Sequence, residues 1–451
     1  MDPEVALELA KRGGTLLFLD VPQYTLIGID TQMFSSGPNF KGIKMIPPGV
    51  HFVFYSSANR EGNAFSPIIG FFIVLKPSEV VVRKWDKKEE RFVKFSEEDF
   101  VEMKTLVLVQ KKSPYFYLCV HLDPSNGNGV VIIQGLLVWH PHKFLEQRYA
   151  EAVRKFEFDT QLGPYMLNQY VDWSHLSNYI TESVIEHIEP IGGEITVSSE
   201  PESISNIPKT PMEKALAGQL KSSKYAISVE KSERKGCYFT PIPRLIKHKG
   251  LSGHELTNMN LDKTQVLETI LAKEYDRNED SLLGELQFSF IAFLMGQSLE
   301  AYLQWKLITS LLLGCIEAPL NTRSRLFTKF VQVIYYQLKF GLQKEDKKTD
   351  VAEKGAIALM DESWLSDDSF LHILCKEFFS LLLEAPVIDG DLLSWTRRLK
   401  DLLEDSVGWD FEPNSAADEF NHGNDEYAPV VEVIEDDVGQ NETEVASMGT
   451  S

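Results

Sequence analysis

The segment His140-Pro141-His142-Lys143-Phe144-Leu145-Glu146 places two His and a Glu within seven residues, the one constellation in this chain that resembles a metal site. Two imidazoles and a carboxylate could hold a divalent ion and leave coordination positions open to water or a substrate. They follow the strand-like run Val130 to Val138, where ligands at the mouth of a β-barrel would sit. Several features count against a metal. Pro141 fills the middle of the His pair, and Gly135 stands one residue too near for the motif. No second ligand motif with its later His follows. The nearest echo, Pro47-Pro48-Gly49-Val50-His51, lies upstream in the wrong order. His140, His142 and Glu146 therefore read first as a strand end leading into a helix, with no metal and no cofactor.

Other chemistry finds no anchor. There is no Gly-rich phosphate loop and no Gly-x-Ser-x-Gly nucleophile elbow. Glu97-Glu98-Asp99 and Asp367-Asp368 read as solvated faces or helix caps, and Ser366-Asp367-Asp368-Ser369 before an apolar run fits an N-cap. Cys119, Cys237, Cys315 and Cys375 are far apart with no Cys-x-x-Cys pair, as reduced core thiols would be. Lys and Arg total 45 against 66 Asp and Glu, a formal charge of −21. Such a chain is a poor direct ligand for a phosphate backbone and suits a protein partner with a basic surface. Lys87-Lys88 and Lys111-Lys112 are too small to make a nucleic-acid face.

The elements around these residues divide the chain. At 451 residues it is too long for one ordinary core. Residues 15–140 read as strands and turns: Leu16 to Leu19, Val50 to Tyr55, Ile68 to Leu75, Val80 to Trp85, and a hairpin pairing Tyr115 to Leu122 with Val130 to Val138. Val50 to Tyr55 is apolar on both alternating faces, as in a strand covered on two sides. Many short strands with Gly/Pro turns favour a sandwich or barrel-like N-terminal domain. Helices over 143–188 close a β-rich domain 1–188. Ser, Pro, Lys and Glu then dominate 189–253, a flexible polar linker in which Ser198, Ser199, Ser203 and Ser205 are accessible candidates for phosphorylation. Residues 254–410 read as about five helices, so the whole is an α+β multi-domain chain with an all-helical C-terminal domain. In its central helix Leu283, Leu286, Phe290 and Phe293 form one stripe and Phe288, Ile291 and Met295 another, the pattern of a helix buried on two faces. Trp305 lies on the next helix.

The tail 411–451 carries eleven acidic residues and no Lys or Arg, so alone it should be disordered. Within it Ala428 to Glu435 is an island of β-formers. Pro429, Val430, Val431, Val433 and Ile434 are candidates to add as a strand to a partner's sheet edge. The acidic N-terminus is unlike a signal peptide, and the longest helical apolar stretch, Leu286 to Gly296, is about half of the ~20 residues that span a bilayer. The expectation is a cytoplasmic protein that shuttles to the nucleus, with no membrane partner and no small-molecule ligand.

A set of segments in fixed order resembles a known family. They are Leu17-Phe18-Leu19-Asp20-Val21-Pro22, Gly28-Ile29-Asp30, Gly37-Pro38-Asn39-Phe40-Lys41-Gly42-Ile43-Lys44 and Pro47-Pro48-Gly49-Val50-His51-Phe52. Leu283-Gly284-Glu285-Leu286-Gln287-Phe288, Phe293-Leu294 and Gln304-Trp305-Lys306 follow, then Trp409-Asp410-Phe411 and Ala428-Pro429-Val430-Val431. Together they are similar to the A-one cistron splicing factor family (Aar-two). The polar run 190–250 and the acidic tail go beyond the family pattern.

The resemblance implies a non-catalytic spliceosome assembly factor with a β-rich N-terminal domain and a VHS-like helical domain. Its implied partner is the largest core protein of the U-five small nuclear ribonucleoprotein, bound through that protein's RNase-H-like and Jab/MPN-like domains. The implied role is to hold off the spliceosomal helicase until maturation, with phosphorylation linked to release. One rival is a metal-dependent enzyme with a cupin-like N-terminal domain, using His140, His142 and Glu146. Another is a trafficking adaptor built on a VHS-like domain.

Overall fold

The structure, a computed structural model, describes residues 12–59, 64–94, 141–196, 236–243, 260–342 and 369–411, with Glu4, Glu61 and Thr257. The expected hairpin 115–138, the four linker serines and the β-forming tail segment lie outside the described residues. Residues up to Trp409 form one compact unit, and the tail from Asp410 is a second.

Ten short strands make two five-stranded sheets. The first contains β1 (Gly14–Leu19), β4 (Gly42–Ile46), β7 (Val80–Asp86), β8 (Arg91–Val93) and β9 (Leu162–Pro164), in the order β8-β7-β1-β4-β9. The second contains β2 (Leu26–Ile29), β3 (Gln32–Ser35), β5 (Gly49–Ser56), β6 (Ile69–Leu75) and β10 (Ile195–Thr196), in the order β10-β6-β5-β2-β3. They do not close into a barrel, so the sandwich is the form adopted. Alternation along the strands explains the packing. Leu16 and Phe18 meet Ile27, Val53, Tyr55 and Ile73 between the sheets, while Leu17 and Leu19 point the other way with Val82 and Leu162. Helix α1 (Pro141–Arg154) covers that outer face through Tyr149 and Val153.

On β5 the same alternation puts Phe52 and Phe54 on the opposite side from Val53 and Tyr55. There Gly28 and Gly70 supply the floor: a Cβ would lie 2.0 Å from Phe54 Cζ at the first and 2.3 Å from Phe52 Cζ at the second. The two glycines thus leave room for the Phe52 and Phe54 rings on this face. After α2 (Tyr170–Ser177) and α3 (Glu182–Ile188) come α4 (Thr264–Glu274), α5 (Glu279–Leu294), α6 (Leu299–Leu313), α7 (Ser324–Gly341), α8 (Phe370–Glu384) and α9 (Gly390–Val407). Phe72 stacks on Phe288 of α5 at 4.4 Å between ring centroids, so sheet and helices share one core. The helix starts are capped by side chains: Asn278, Ser298, Ser369 and Asp389 each accept a backbone N–H of the first turn. Ser369 belongs to the cluster whose composition predicts a cap.

Helix α5 is central, as its two stripes require. Every residue from Leu282 to Leu294 is buried. Trp305 of α6 is buried too, its ring 6.0 Å from Phe290 and 6.0 Å from Phe370, and its indole N–H donates to Gln337 Oε1 at 2.9 Å.

Two sequence expectations change. The stretch 143–188 is not continuously helical. Strand β9 interrupts it, because Leu162 fills the outer core beside Leu17, and a 3-10 turn lies on each side of the strand. The linker 189–253 is also shorter than its composition suggests. Ile195 is buried where β10 pairs with β6. Farther on, Cys237 and Thr240 are buried within the segment 236–243.

Phe290→Ala should lower stability by about 3–5 kcal/mol, through lost transfer energy and the cavity left behind. Trp305→Ala should cost a similar amount and also strand the Gln337 carbonyl. Urea denaturation of both variants checks this, and unchanged midpoints would remove α5 and α6 from the centre of the core.

Candidate functional site

Two clusters of buried charged and polar side chains tie distant parts of the chain together. The first is an acid–base pair inside the sandwich. Asp30 occupies the tight turn between β2 and β3 with φ of 56°, in the left-handed region that Asp tolerates better than most residues. His51 lies on β5, and Tyr165 follows β9. Asp30 Oδ2 accepts from His51 Nδ1 at 2.7 Å and from the Tyr165 hydroxyl at 2.6 Å, while Oδ1 accepts the Phe52 N–H at 3.0 Å. His51 Nε2 faces the Pro47 carbonyl at 2.6 Å. Both ring nitrogens therefore face acceptors, so the ring carries both protons and is an imidazolium.

Burial works against that charge, but the Asp30 carboxylate and the Pro47 carbonyl outweigh it, and the His51 pKa is raised. Burial and then the same carboxylate push the Tyr165 phenol up, so it stays a donor. Trp173 of α2 lies nearly parallel to the imidazolium, and its N–H donates to Val50 O at 2.9 Å. A cavity bordering Asp30 has a volume of about 10 Å³, with room for at most one water. An acid–base pair so enclosed braces the β2–β3 turn, the β4–β5 turn and the chain after β9. It has no room for a substrate.

The second lies along α5, whose buried polar side chains reach out on two sides. Glu285 is 1% exposed and accepts four hydrogen bonds: from Thr240 N at 2.9 Å, and at 2.8 Å from Thr240 Oγ1, the Tyr275 hydroxyl and Gln304 Nε2. That set seats the segment 236–243 against α4, α5 and α6. Phe239 adds an edge contact to Phe288, and Tyr238 N–H donates to Ile188 O at 2.8 Å. Two residues on, and on the other side of the helix, Gln287 Oε1 accepts from Tyr179 N at 2.8 Å, and Nε2 donates to His175 O at 3.1 Å and Asn178 Oδ1 at 2.8 Å. Gly284 lets the chain come this close, since a Cβ there would stand 2.5 Å from the Tyr179 carbonyl. Helix α5 thus fastens both α2 and the 236–243 segment to the helical half.

The candidates for site chemistry fare differently. His142 and Glu146 fall on α1, with Glu146 half-buried, and His140 lies outside the described residues. The cupin-like reading places such ligands on strands, and α1 is a helix. Among the described residues no group of three His, Cys, Asp or Glu side chains is arranged to hold a metal. Ser198, Ser199, Ser203, Ser205, Pro429, Val430, Val431, Val433 and Ile434 lie outside the described residues. The Asp30–His51 pair was within reach of the sequence: each residue ends or interrupts an apolar strand within a family segment. His51 read instead as a displaced metal motif.

A family model described as the AAR2 N-terminal domain matches residues 12–190, and one described as the AAR2 C-terminal repeat region matches 239–412. The interval between them falls on the polar stretch. A human protein named Protein AAR2 homolog is 27% identical over 432 residues, 92% of this chain and 95% of the relative. A Caenorhabditis elegans protein of the same name is 28% identical over 422 residues, 91% of this chain and 98% of the relative. The A1 cistron-splicing factor AAR2 of Saccharomyces cerevisiae is 22% identical over 332 residues, 72% of this chain and 76% of the relative.

The brace makes stability depend on pH in one direction. A raised folded-state pKa means the native protein holds a proton that the unfolded chain releases above the ordinary value of 6.5. The stabilisation is complete below that pH and is lost as pH rises through the folded value. Urea titrations at stepped pH should show the native chain weakening on the alkaline side and His51→Gln lacking that loss. Parallel curves for the two proteins would contradict the imidazolium.

Proposed function

We propose a function from one premise: this chain belongs to the AAR2 family. It is a non-catalytic splicing factor. Within that class it acts as an assembly chaperone that binds the largest core protein of the U-five small nuclear ribonucleoprotein. It engages that protein's RNase-H-like and Jab/MPN-like domains and holds off the helicase until maturation. It does so in the cytoplasm, with shuttling to the nucleus, and without direct nucleic-acid contact.

The observation that carries this reading is the match of both halves, in order, to one family, with a yeast relative named as a splicing factor. The buried chemistry supports a scaffold. Asp30, His51, Glu285 and Gln287 are spent on internal partners, and recognition falls to surfaces and to the chain beyond the folded unit. The segment Pro429 to Ile434 is the element we assign to strand addition on the partner, and its acidic flanks steer it toward a basic surface. The metal-enzyme alternative has no observation in its favour.

The test mixes the purified full chain with the RNase-H-like and Jab/MPN-like domains of the U-five core protein from the same source. Co-elution on gel filtration is expected, weakened when residues 411–451 are deleted and when Val431→Pro removes a strand N–H. Failure to bind either domain would overturn the partner assignment. Equal affinity of all three proteins would remove the tail from the interface.

A further inference from the structure

The outward side of α7 departs from the acidic character of this chain. The helix has no Asp or Glu in its 18 residues. Its outer face presents Arg325, Lys329, Gln332, Tyr335, Tyr336 and Lys339, which the helical period brings to one side. Beside its C-terminal half lies Trp395 of α9, 5.6 Å from the Tyr335 ring and 6.0 Å from the Tyr336 ring. All three rings are half-buried, so each keeps part of its surface open. His175 of α2 stacks flat on Tyr336 at 3.9 Å and fixes that ring.

One cation of this ridge, Lys329, forms an ion pair, with Asp280. Among the described residues Arg325, Lys339 and Arg398 form none. Instead the Arg398 guanidinium lies over Trp395 at 4.7 Å and the Lys339 ammonium over Tyr335 at 6.0 Å. Both side chains are exposed. Asp391, one turn before Trp395, and Asp401, three residues after Arg398, are the nearest acids on that side of α9 by helical spacing.

We propose that this ridge is a docking surface for an acidic protein segment carrying an aromatic or aliphatic side chain. The partner's carboxylates meet Lys339, Arg398 and, roughly 21 Å along the helix, Arg325. Its apolar side chain rests on the Tyr335–Tyr336–Trp395 cluster. Trp, Tyr and Arg are the residue types that concentrate binding energy at protein interfaces, and here all three stand together on helices, which hold them rigidly. A nucleic acid fits less well. Its continuous charge needs a broader basic footprint than three separated cations, on a chain whose formal charge is −21. The proposal does not depend on the splicing assignment.

The test selects binders to the immobilised full chain from a displayed library of random short peptides, then measures the enriched peptides by fluorescence anisotropy. Enrichment of Asp and Glu around Phe, Trp or Leu is expected. The pair Lys339→Glu with Arg398→Glu should weaken binding by roughly tenfold or more, the loss usual for a hot-spot contact. Lys339→Gln with Arg398→Gln should fall between, and Lys155→Glu, just past the end of α1, should change nothing. Melting temperatures should hold, because the substituted side chains are exposed. The proposal is overturned if no acidic class is enriched, or if the double reversal binds as well as the native chain. It is also overturned if oligouridine displaces the peptides and binds more tightly, which would make the ridge a nucleic-acid face.

Discussion

Helix α5 is enclosed on all sides, yet its sequence places Glu285, Gln287 and Ser289 among its apolar residues. A buried polar group left without a partner costs on the order of 1–3 kcal/mol, and more if charged. The rest of the structure is arranged to avoid that cost. Thr240, Tyr275 and Gln304 converge on Glu285, and Tyr179, Asn178 and the His175 carbonyl converge on Gln287. Each partner comes from a different part of the chain, so satisfying one helix fixes the positions of α2, α4, α6 and the 236–243 segment. Gly284 and the Phe72–Phe288 stack then bring the sandwich within contact distance.

The sandwich repeats this logic on a smaller scale. Asp30 and His51 are both fully buried, and the pair is tolerable because carboxylate and imidazolium neutralise one another, both carboxylate oxygens accept hydrogen bonds and both ring nitrogens have partners. Tyr165 and Trp173 extend the brace to the chain that leads from the sheets into α2. The polar interior therefore runs from the β2–β3 turn to α5 through a single short stretch, residues 165–179. This arrangement leaves outer surfaces, including the α7–α9 ridge, free for recognition.

Much of this was legible in the sequence. Apolar runs on both faces identified β5 and α5, and Ser369 capped where its neighbours suggested. Strands β2, β3 and β4 did not stand out, since four or five residues carry little periodicity, and their identity comes from their pairing with other strands. The ends of the polar stretch were misjudged for a related reason: Ile195 and Thr240 are single anchors in polar company, and only the groove that receives them makes them part of the core. The buried hydrogen bonds of Glu285, Gln287 and Gln304 were invisible as contacts, although all three fall within the family segments. Their partners lie between 10 and 112 residues away in sequence.

The buried polar residues of α5, Glu285 on one side and Gln287 on another, make sandwich and helices one cooperative body. Scanning calorimetry of Gln287→Ala tests it most directly, because that substitution strands the Tyr179 N–H and Asn178 while leaving both apolar cores intact. The native chain should melt in one transition. The variant should begin to melt at lower temperature and split into two, one for the sandwich with α2 and one for the helical half. A variant that melts in a single transition at the native temperature would contradict the account.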